Sequence, residues 1–104
     1  MAITSNPTIQ NGAVITAQGT KTFLNITATT LVKATAGRIA KVSVIVAGSG
    51  AGSVYDAASL GAAGAANEIA VIPATAGIYN IDFHCANGIV LSPGTGQTLA
   101  ISYI

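Results

Sequence analysis

Short apolar segments recur about every ten residues along this chain, and this spacing constrains the fold more than any other feature. The segments are rich in Val, Ile and Thr, and turn-forming Gly, Pro or Asn residues separate them. Such residues favour the pleated, half-buried surface of a β-strand. The predicted strands cover residues 20–26, 30–34, 38–47, 54–55, 68–72, 78–85, 89–91 and 97–104. A further hairpin is predicted at residues 8–15, where Asn11-Gly12 lies between apolar residues.

Helices are not predicted, because no window keeps an apolar period of 3.6 residues. Residues 57–67 are rich in alanine, but Gly61 and Gly64 disfavour a helix, so this segment is predicted to be a long loop of small residues that can include one helical turn. The sequence therefore predicts an all-β fold, an antiparallel β-sandwich of about eight strands that is jelly-roll-like, with an Ig-like sandwich as the alternative. With 104 residues, the chain is expected to hold an N-terminal arm or hairpin at residues 1–18 and one sandwich domain at residues 19–104.

Two predicted strands carry further information. The segment Val42-Ser43-Val44-Ile45-Val46 would promote aggregation on an open sheet edge, so it is expected to be central or covered. Residues 78–85 alternate strictly, which places Tyr79, Ile81, Phe83 and Cys85 on the buried face and Asn80, Asp82 and His84 on the solvated face.

Charge is scarce in this sequence. Ordinary domains carry charge at about a quarter of their positions, whereas only seven residues are charged here: Lys21, Lys33, Arg38, Lys41, Asp56, Glu68 and Asp82. Copies with such a surface do not repel one another strongly. We therefore expect a structural protein built for contact, not an enzyme. The absence of any cluster of Lys and Arg argues against a nucleic-acid partner.

Membrane insertion and export are also not expected. Residues 83–104 lack charge, but His84, Asn87, Pro93 and Gln97 interrupt them, so they do not form a spanning helix. The first seven residues lack the basic and apolar regions of a signal peptide. The single cysteine, Cys85, excludes an internal disulfide and fits a reducing compartment.

The adjacent His84 and Cys85 are the main candidates for chemistry. Because adjacent strand residues face opposite sides of a sheet, these two side chains are not expected to form a catalytic dyad. Cys85 is predicted to be an inert core thiol, and Asp82 and His84 to be solvated and dispensable for folding. A metal site would need more ligands than Asp56 and Glu68 can add, so no catalytic residue, cofactor or metal is predicted.

Two weaker motifs have simpler explanations. The stretch Gly48-Ser49-Gly50-Ala51-Gly52 completes neither a dinucleotide-binding nor a P-loop pattern, so it is predicted to be a loop between strands. Asn25-Ile26-Thr27 matches a glycosylation sequon, but without a signal peptide it indicates only an Asn near a turn.

From residue 30 to residue 103, the order of motifs resembles a group of small proteins encoded among the structural genes of tailed bacteriophages. The motifs are Leu31-Val32-Lys33, Ala36-Gly37-Arg38, Val54-Tyr55-Asp56, Ala66-Asn67-Glu68-Ile69-Ala70-Val71-Ile72-Pro73 and Gly88-Ile89-Val90-Leu91-Ser92-Pro93-Gly94-Thr95-Gly96-Gln97. The chain departs from the group at Phe83-His84, where members often have an aromatic residue followed by proline. The resemblance implies a structural role in the virion and supplies no catalytic or ligand residues.

These observations lead to one expected function and two alternatives. We expect a capsid decoration or cement protein that stabilises the phage head through contacts with the major capsid protein or another virion protein. It is expected in the virion, assembled in the host cytoplasm, as a homo-oligomer, with a trimer favoured by the three-fold sites of an icosahedral head. A tail, collar or fibre component is the alternative within the virion, and a carbohydrate-binding module is the alternative from another class.

Overall fold

The computed structural model describes residues 18–104, so the predicted hairpin at residues 8–15 and nearly all of the predicted arm lie outside the described residues. Two short 3-10 turns, Leu60–Ala62 and Ala65–Asn67, lie in the alanine-rich segment at residues 57–67. The eight strands are β1 (Lys21–Ile26), β2 (Thr30–Lys33), β3 (Gly37–Val46), β4 (Gly52–Tyr55), β5 (Glu68–Ile72), β6 (Gly77–Cys85), β7 (Ile89–Ser92) and β8 (Thr98–Tyr103).

The strands form two four-stranded antiparallel sheets that pack as a β-sandwich. Sheet A has the order β1-β8-β3-β6, and sheet B has the order β2-β7-β4-β5. The pairs β1–β8, β2–β7, β3–β6 and β4–β5 are nested within one another along the chain, as in a long hairpin that has been rolled up. This is the jelly-roll arrangement, and the predicted all-β sandwich is confirmed.

Alternation along the strands builds the core between the sheets. Val42 and Val44 of β3 and Leu99 and Ile101 of β8 face inward from the middle of sheet A. Sheet B contributes Val54, Ile72, Ile89 and Leu91. Strand β3 lies between β8 and β6, which confirms that its aggregation-prone segment is central.

Bulges interrupt two strands of sheet A where the chain has a positive φ. In β1, Leu24 and Asn25 together lie opposite Ala100, and φ of Asn25 is 56°. In β6, Ile81 and Asp82 together lie opposite Ala40, and φ of Asp82 is 54°. Asn and Asp adopt this left-handed conformation more readily than most residues.

The side chains of β6 are buried and exposed as the predicted alternation requires, with Phe83 as the exception. Tyr79 and Ile81 pack against the core, and Cys85 is fully buried, as predicted. Phe83 is paired with the core residue Ile39, as its predicted face requires, but it is 51% exposed, so its predicted burial is wrong. A bulge bends its strand and re-aims the side chains beside it, and within residues 18–104 β6 has a paired neighbour on one side only.

Candidate association surface

The outer face of sheet A carries an accessible row of mainly apolar side chains that is free of charge. One row of side chains crosses all four strands, because Ala100 is paired with Ser43, Ser43 is paired with Ile78, and Leu24 lies in the bulge opposite Ala100. Leu24 is 65% exposed and Ile78 is 70% exposed, at the two edges of the sheet. A protein partner with a complementary apolar surface would bury this row.

The outer face of sheet B is different at its centre. Val90 is flanked in register by Leu31 and Tyr55, and its side chain is fully buried although it belongs to the outer face. Leu31 and Tyr55 are themselves half-buried. Sheet A is therefore the sheet that leaves more of its outer apolar surface accessible.

Large apolar side chains are exposed at eight described positions. Six of them belong to sheet A and the other two lie in or near sheet B: Phe23, Leu24, Ile45, Val46, Ile78 and Phe83, then Leu60 and Val71. Scattered exposed apolar residues are normal on protein surfaces. Phe23 and Phe83 are paired with buried core residues and so do not belong to the outer face of sheet A. Leu24 and Ile78 are the strongly exposed apolar residues of the outer row.

A small polar cluster lies beside this apolar row, at the β6 bulge. The Arg38 guanidinium forms an ion pair with the Asp82 carboxylate, although both side chains are accessible to solvent. A depression of about 180 Å³ is lined by Ala40, Lys41, Asn80 and Asp82. The sequence predicted Asp82 to be solvated, which is confirmed, but it did not predict this ion pair. An exposed pair of this kind adds little stability and can orient a polar partner group at the edge of the apolar row.

Cys85 and His84 are placed as the alternation predicted. Cys85 is buried and free, and burial, with a smaller contribution from the charge of Asp56, raises the pKa of its thiol to about 11. The thiol is therefore protonated and a poor nucleophile at neutral pH. His84 is exposed. Within residues 18–104, no three His, Cys, Asp or Glu side chains lie together in a group that could hold a metal ion.

Asp56 has a structural role that the sequence reasoning missed. Its Oδ1 atom accepts hydrogen bonds from the main-chain N–H groups of Asn87, at 2.8 Å, and Gly88, at 3.2 Å, while Oδ2 accepts one from Ala86 at 3.1 Å. Burial acts to raise the pKa of Asp56, but these three hydrogen bonds, with a smaller effect of His84, hold the pKa below its ordinary value. Asp56 thus fixes the turn between β6 and β7. Its position directly after a strand was the available signal, but nothing in the sequence links it to residues thirty positions away.

Gln97 plays a similar part at the other end of sheet B. Its Oε1 atom accepts a hydrogen bond from Gly94 N–H at 2.9 Å, and its Nε2 donates one to the Pro73 carbonyl at 2.8 Å. The side chain is 2% exposed, and among the described residues Gln97 is the only polar one that is buried as a whole. It connects the loop before β8 to the loop after β5.

The glycine-rich stretch is a loop between β3 and β4, as predicted. Ser49 N–H donates to the Thr95 carbonyl at 2.9 Å, and Gly48 N–H donates to the Ala74 carbonyl at 3.1 Å. Because these N–H groups have partners within the protein, they do not form a free anion-binding cradle. Asn25 of the sequon lies at the β1 bulge, one residue before β1 ends and close to the turn into β2, as predicted.

Comparisons of the chain with protein-family models, with curated proteins and with solved structures found no match. In residues 18–104, no helix is long and apolar enough to cross a membrane.

Proposed function

We propose that this chain is a virion structural protein, a capsid decoration or cement protein that stabilises a phage head through protein–protein contacts. The observation that carries the proposal is the outer face of sheet A, with its exposed apolar residues at both edges and few charges between them. The order of motifs that resembles small phage structural proteins supplies the biological setting.

The surface chemistry favours a partner that is itself a protein. Lys41 is the only charged residue among the outward-facing positions of the two central strands, β3 and β8, between Lys41 and Val46 and between Thr98 and Tyr103. Small side chains such as Ser43 and Ala100 allow another protein surface to approach the sheet closely. Such a surface gains stability by burying apolar area, at about 25 cal/mol per Å².

The same surface supports self-association as a homo-oligomer. A protein that carries seven charged residues in 104 has little electrostatic repulsion between copies. Many copies on a repeating capsid lattice would each contact the major capsid protein, and contacts between copies would add to the stability of the shell.

The test is a copy count on purified particles. Quantitative mass spectrometry of intact virions should find the protein at many copies per particle, and antibody labelling in electron micrographs should place it on the head. Labelling confined to the tail or collar would support the tail component instead. Absence of the protein from intact particles would refute the virion role.

A further inference from the structure

The four edges of the two sheets are not equally protected against pairing with another strand. Natural proteins protect sheet edges with charged residues, bulges, prolines or short strands. The β1 edge carries Lys21 and the bulge at Asn25. The β2 edge has four residues and ends at Lys33. The β5 edge begins at Glu68 and is followed by Pro73.

The β6 edge has a long unprotected part. β6 has nine residues, and its first five, residues 77–81, contain no charge and no proline. This part is paired with β3 in regular register from Gly77 opposite Val44 to Asn80 opposite Lys41, and the bulge at Ile81 and Asp82 follows directly. β3 is the only strand paired with β6 in the described chain. Along an antiparallel edge, every second residue directs its N–H and C=O groups away from the neighbour, so β6 offers these groups to a further strand.

We propose that residues 77–81 of β6 pair with the same residues of a second copy of the chain. The pairing is antiparallel about a two-fold axis at Tyr79, and it joins two copies of sheet A into one eight-stranded sheet. Tyr79 then lies opposite its own counterpart, Ile78 lies opposite the counterpart of Asn80, and Gly77 lies opposite the counterpart of Ile81. This inference names the contact for the self-association included in the proposed function.

The faces of the two strands match in this register. Ile78 and Asn80 belong to the outer face of sheet A, because their β3 partners Ser43 and Lys41 alternate with buried residues. Tyr79 and Ile81 pack against the core. Each pair across the axis therefore joins two outer or two inner residues, as a continuous pleated sheet requires. The apolar row that ends at Ile78 continues into the second copy.

A second copy is the occupant that these residues favour. The site selects a strand by its backbone, since its open hydrogen-bonding groups require an extended partner. Within residues 18–104, the β1 edge also has five residues without charge or proline, but a bulge interrupts them, whereas residues 77–80 of β6 are paired in regular register, so another copy offers the matching edge. Residues 77–81 carry no charge, and two copies meet there without repulsion. An isologous contact closes at two copies, so the unit is a dimer where the sequence argument expected a trimer.

Two oppositely charged variants test the contact and its register. In the double variant Ile78→Lys/Asn80→Lys, like charges face each other twice across the axis, and the same holds for Ile78→Glu/Asn80→Glu. Each variant alone should be monomeric in light scattering at concentrations where the wild-type protein is a dimer, with a dissociation constant raised at least about tenfold. An equimolar mixture of the two should recover the dimer, because every facing pair is then of opposite charge.

A matched control separates this contact from a general effect of surface charge. Leu24→Lys places one charge on the same face of sheet A at a position of nearly equal exposure, but at the β1 edge, and it should leave the dimer intact. The double variant Ile78→Cys/Asn80→Cys should form a disulfide-linked dimer on oxidation, and either single variant should not, because only positions 78 and 80 face each other. Circular dichroism of every variant checks that it remains folded.

Three results would overturn the proposal: a monomeric wild-type protein, a charged double variant that still dimerises, or a mixture that stays monomeric. Loss of the dimer in Leu24→Lys would also overturn it, since the β1 edge would then carry the contact. The copy count on particles is independent of these measurements. If the protein is present on virions but the β6 variants do not change its oligomeric state, the proposed function stands and the proposed β6 contact is wrong.

Discussion

The two ends of strand β4 are each held by one polar side chain, and the two side chains differ in charge and in burial. At the end of β4, the carboxylate of Asp56 accepts three main-chain hydrogen bonds from the turn between β6 and β7. Near its start, the neutral amide of Gln97 bridges Gly94 and Pro73. Asp56 is partly exposed, whereas Gln97 is fully enclosed.

The close packing around both residues depends on glycine. A Cβ atom on Gly88 would collide with the carbonyl oxygen of Ala57, at the Asp56 end. A Cβ atom on Gly94 would collide with the carbonyl oxygen of Gly50, at the Gln97 end. In both turns, main-chain atoms lie against main-chain atoms, and one side chain forms hydrogen bonds with main-chain polar groups. The difference is that the Asp56 end is accessible to solvent and titrates with pH, whereas the Gln97 end is buried and neutral.

The Gln97 end should be the more sensitive to mutation. Gln97→Ala leaves the buried Gly94 N–H and Pro73 carbonyl without partners and opens a cavity. We expect it to lower the free energy of unfolding by about 2–4 kcal/mol. Chemical denaturation at pH 7 measures this loss. Gln18→Ala, at an exposed position, is the control and should stay within about 0.5 kcal/mol of wild type. Equal losses in the two variants would contradict the structural role of Gln97.

The Asp56 end should be less sensitive and should depend on pH. Asp56→Ala removes three hydrogen bonds to a charged acceptor, but water can replace part of them, so we expect a loss of about 1–2 kcal/mol at pH 7. The folded-state pKa of Asp56 lies below its ordinary value of 3.8. Its contribution is therefore present above the ordinary value and is lost as pH falls through the lower, folded-state value.

Asp56→Asn separates the charge from the hydrogen bonds. The amide oxygen can still accept from the turn, but it does not titrate, so this part of the acid dependence should disappear. Unfolding measured between pH 2 and pH 7 gives the slope of the unfolding free energy against pH for wild type and variant. The two slopes should differ by no more than about one proton. An unchanged slope would show that Asp56 does not contribute to the acid sensitivity.

The sequence predicted the strands well and these two contacts not at all. Strand positions follow from local alternation, and a residue such as Val44 or Ile101 is assigned to the core by its immediate neighbours. Asp56 contacts residues 30 to 32 positions away, and Gln97 joins the nearby Gly94 to Pro73, which is 24 positions away. Their partners are main-chain groups, which leave no mark on the side-chain pattern. Topology must be known before such contacts can be recognised.

The β6 bulge was missed for a related physical reason. Asp82 fits the polar positions of an alternating strand, and only its φ of 54° and the shifted register with β3 show the bulge there. Phe83 was placed in the core because the pattern was extended through this position. When polar and apolar residues still alternate on both sides of an inserted residue, the sequence pattern does not reveal the bulge.

Asp82 lies away from both ends of β4. Substitutions there separate the effect of backbone conformation on stability from the effect of charge. Asp82→Gly keeps the positive φ at no steric cost but loses the exposed ion pair with Arg38, whereas Asp82→Ala loses the ion pair and strains the backbone. We expect the alanine variant to be less stable than the glycine variant by about 1 kcal/mol. Thermal or chemical unfolding of the two proteins measures this difference. Equal stabilities would mean that the left-handed conformation at position 82 carries no cost.

Substitution of His84 should have the smallest effect on stability, and it tests how a neighbouring residue influences the pKa of Asp56. Its exposed side chain makes the smallest of the contributions that lower the pKa of Asp56. His84→Ala should stay within about 0.5 kcal/mol of wild type at pH 7, because surface substitutions away from special features have effects of this size. At acid pH it should move the loss of stability to slightly higher pH, since the folded-state pKa of Asp56 rises toward its ordinary value. The same substitution made in the Asp56→Asn background should have no such effect, and a shift that persists there would assign it to another carboxylate.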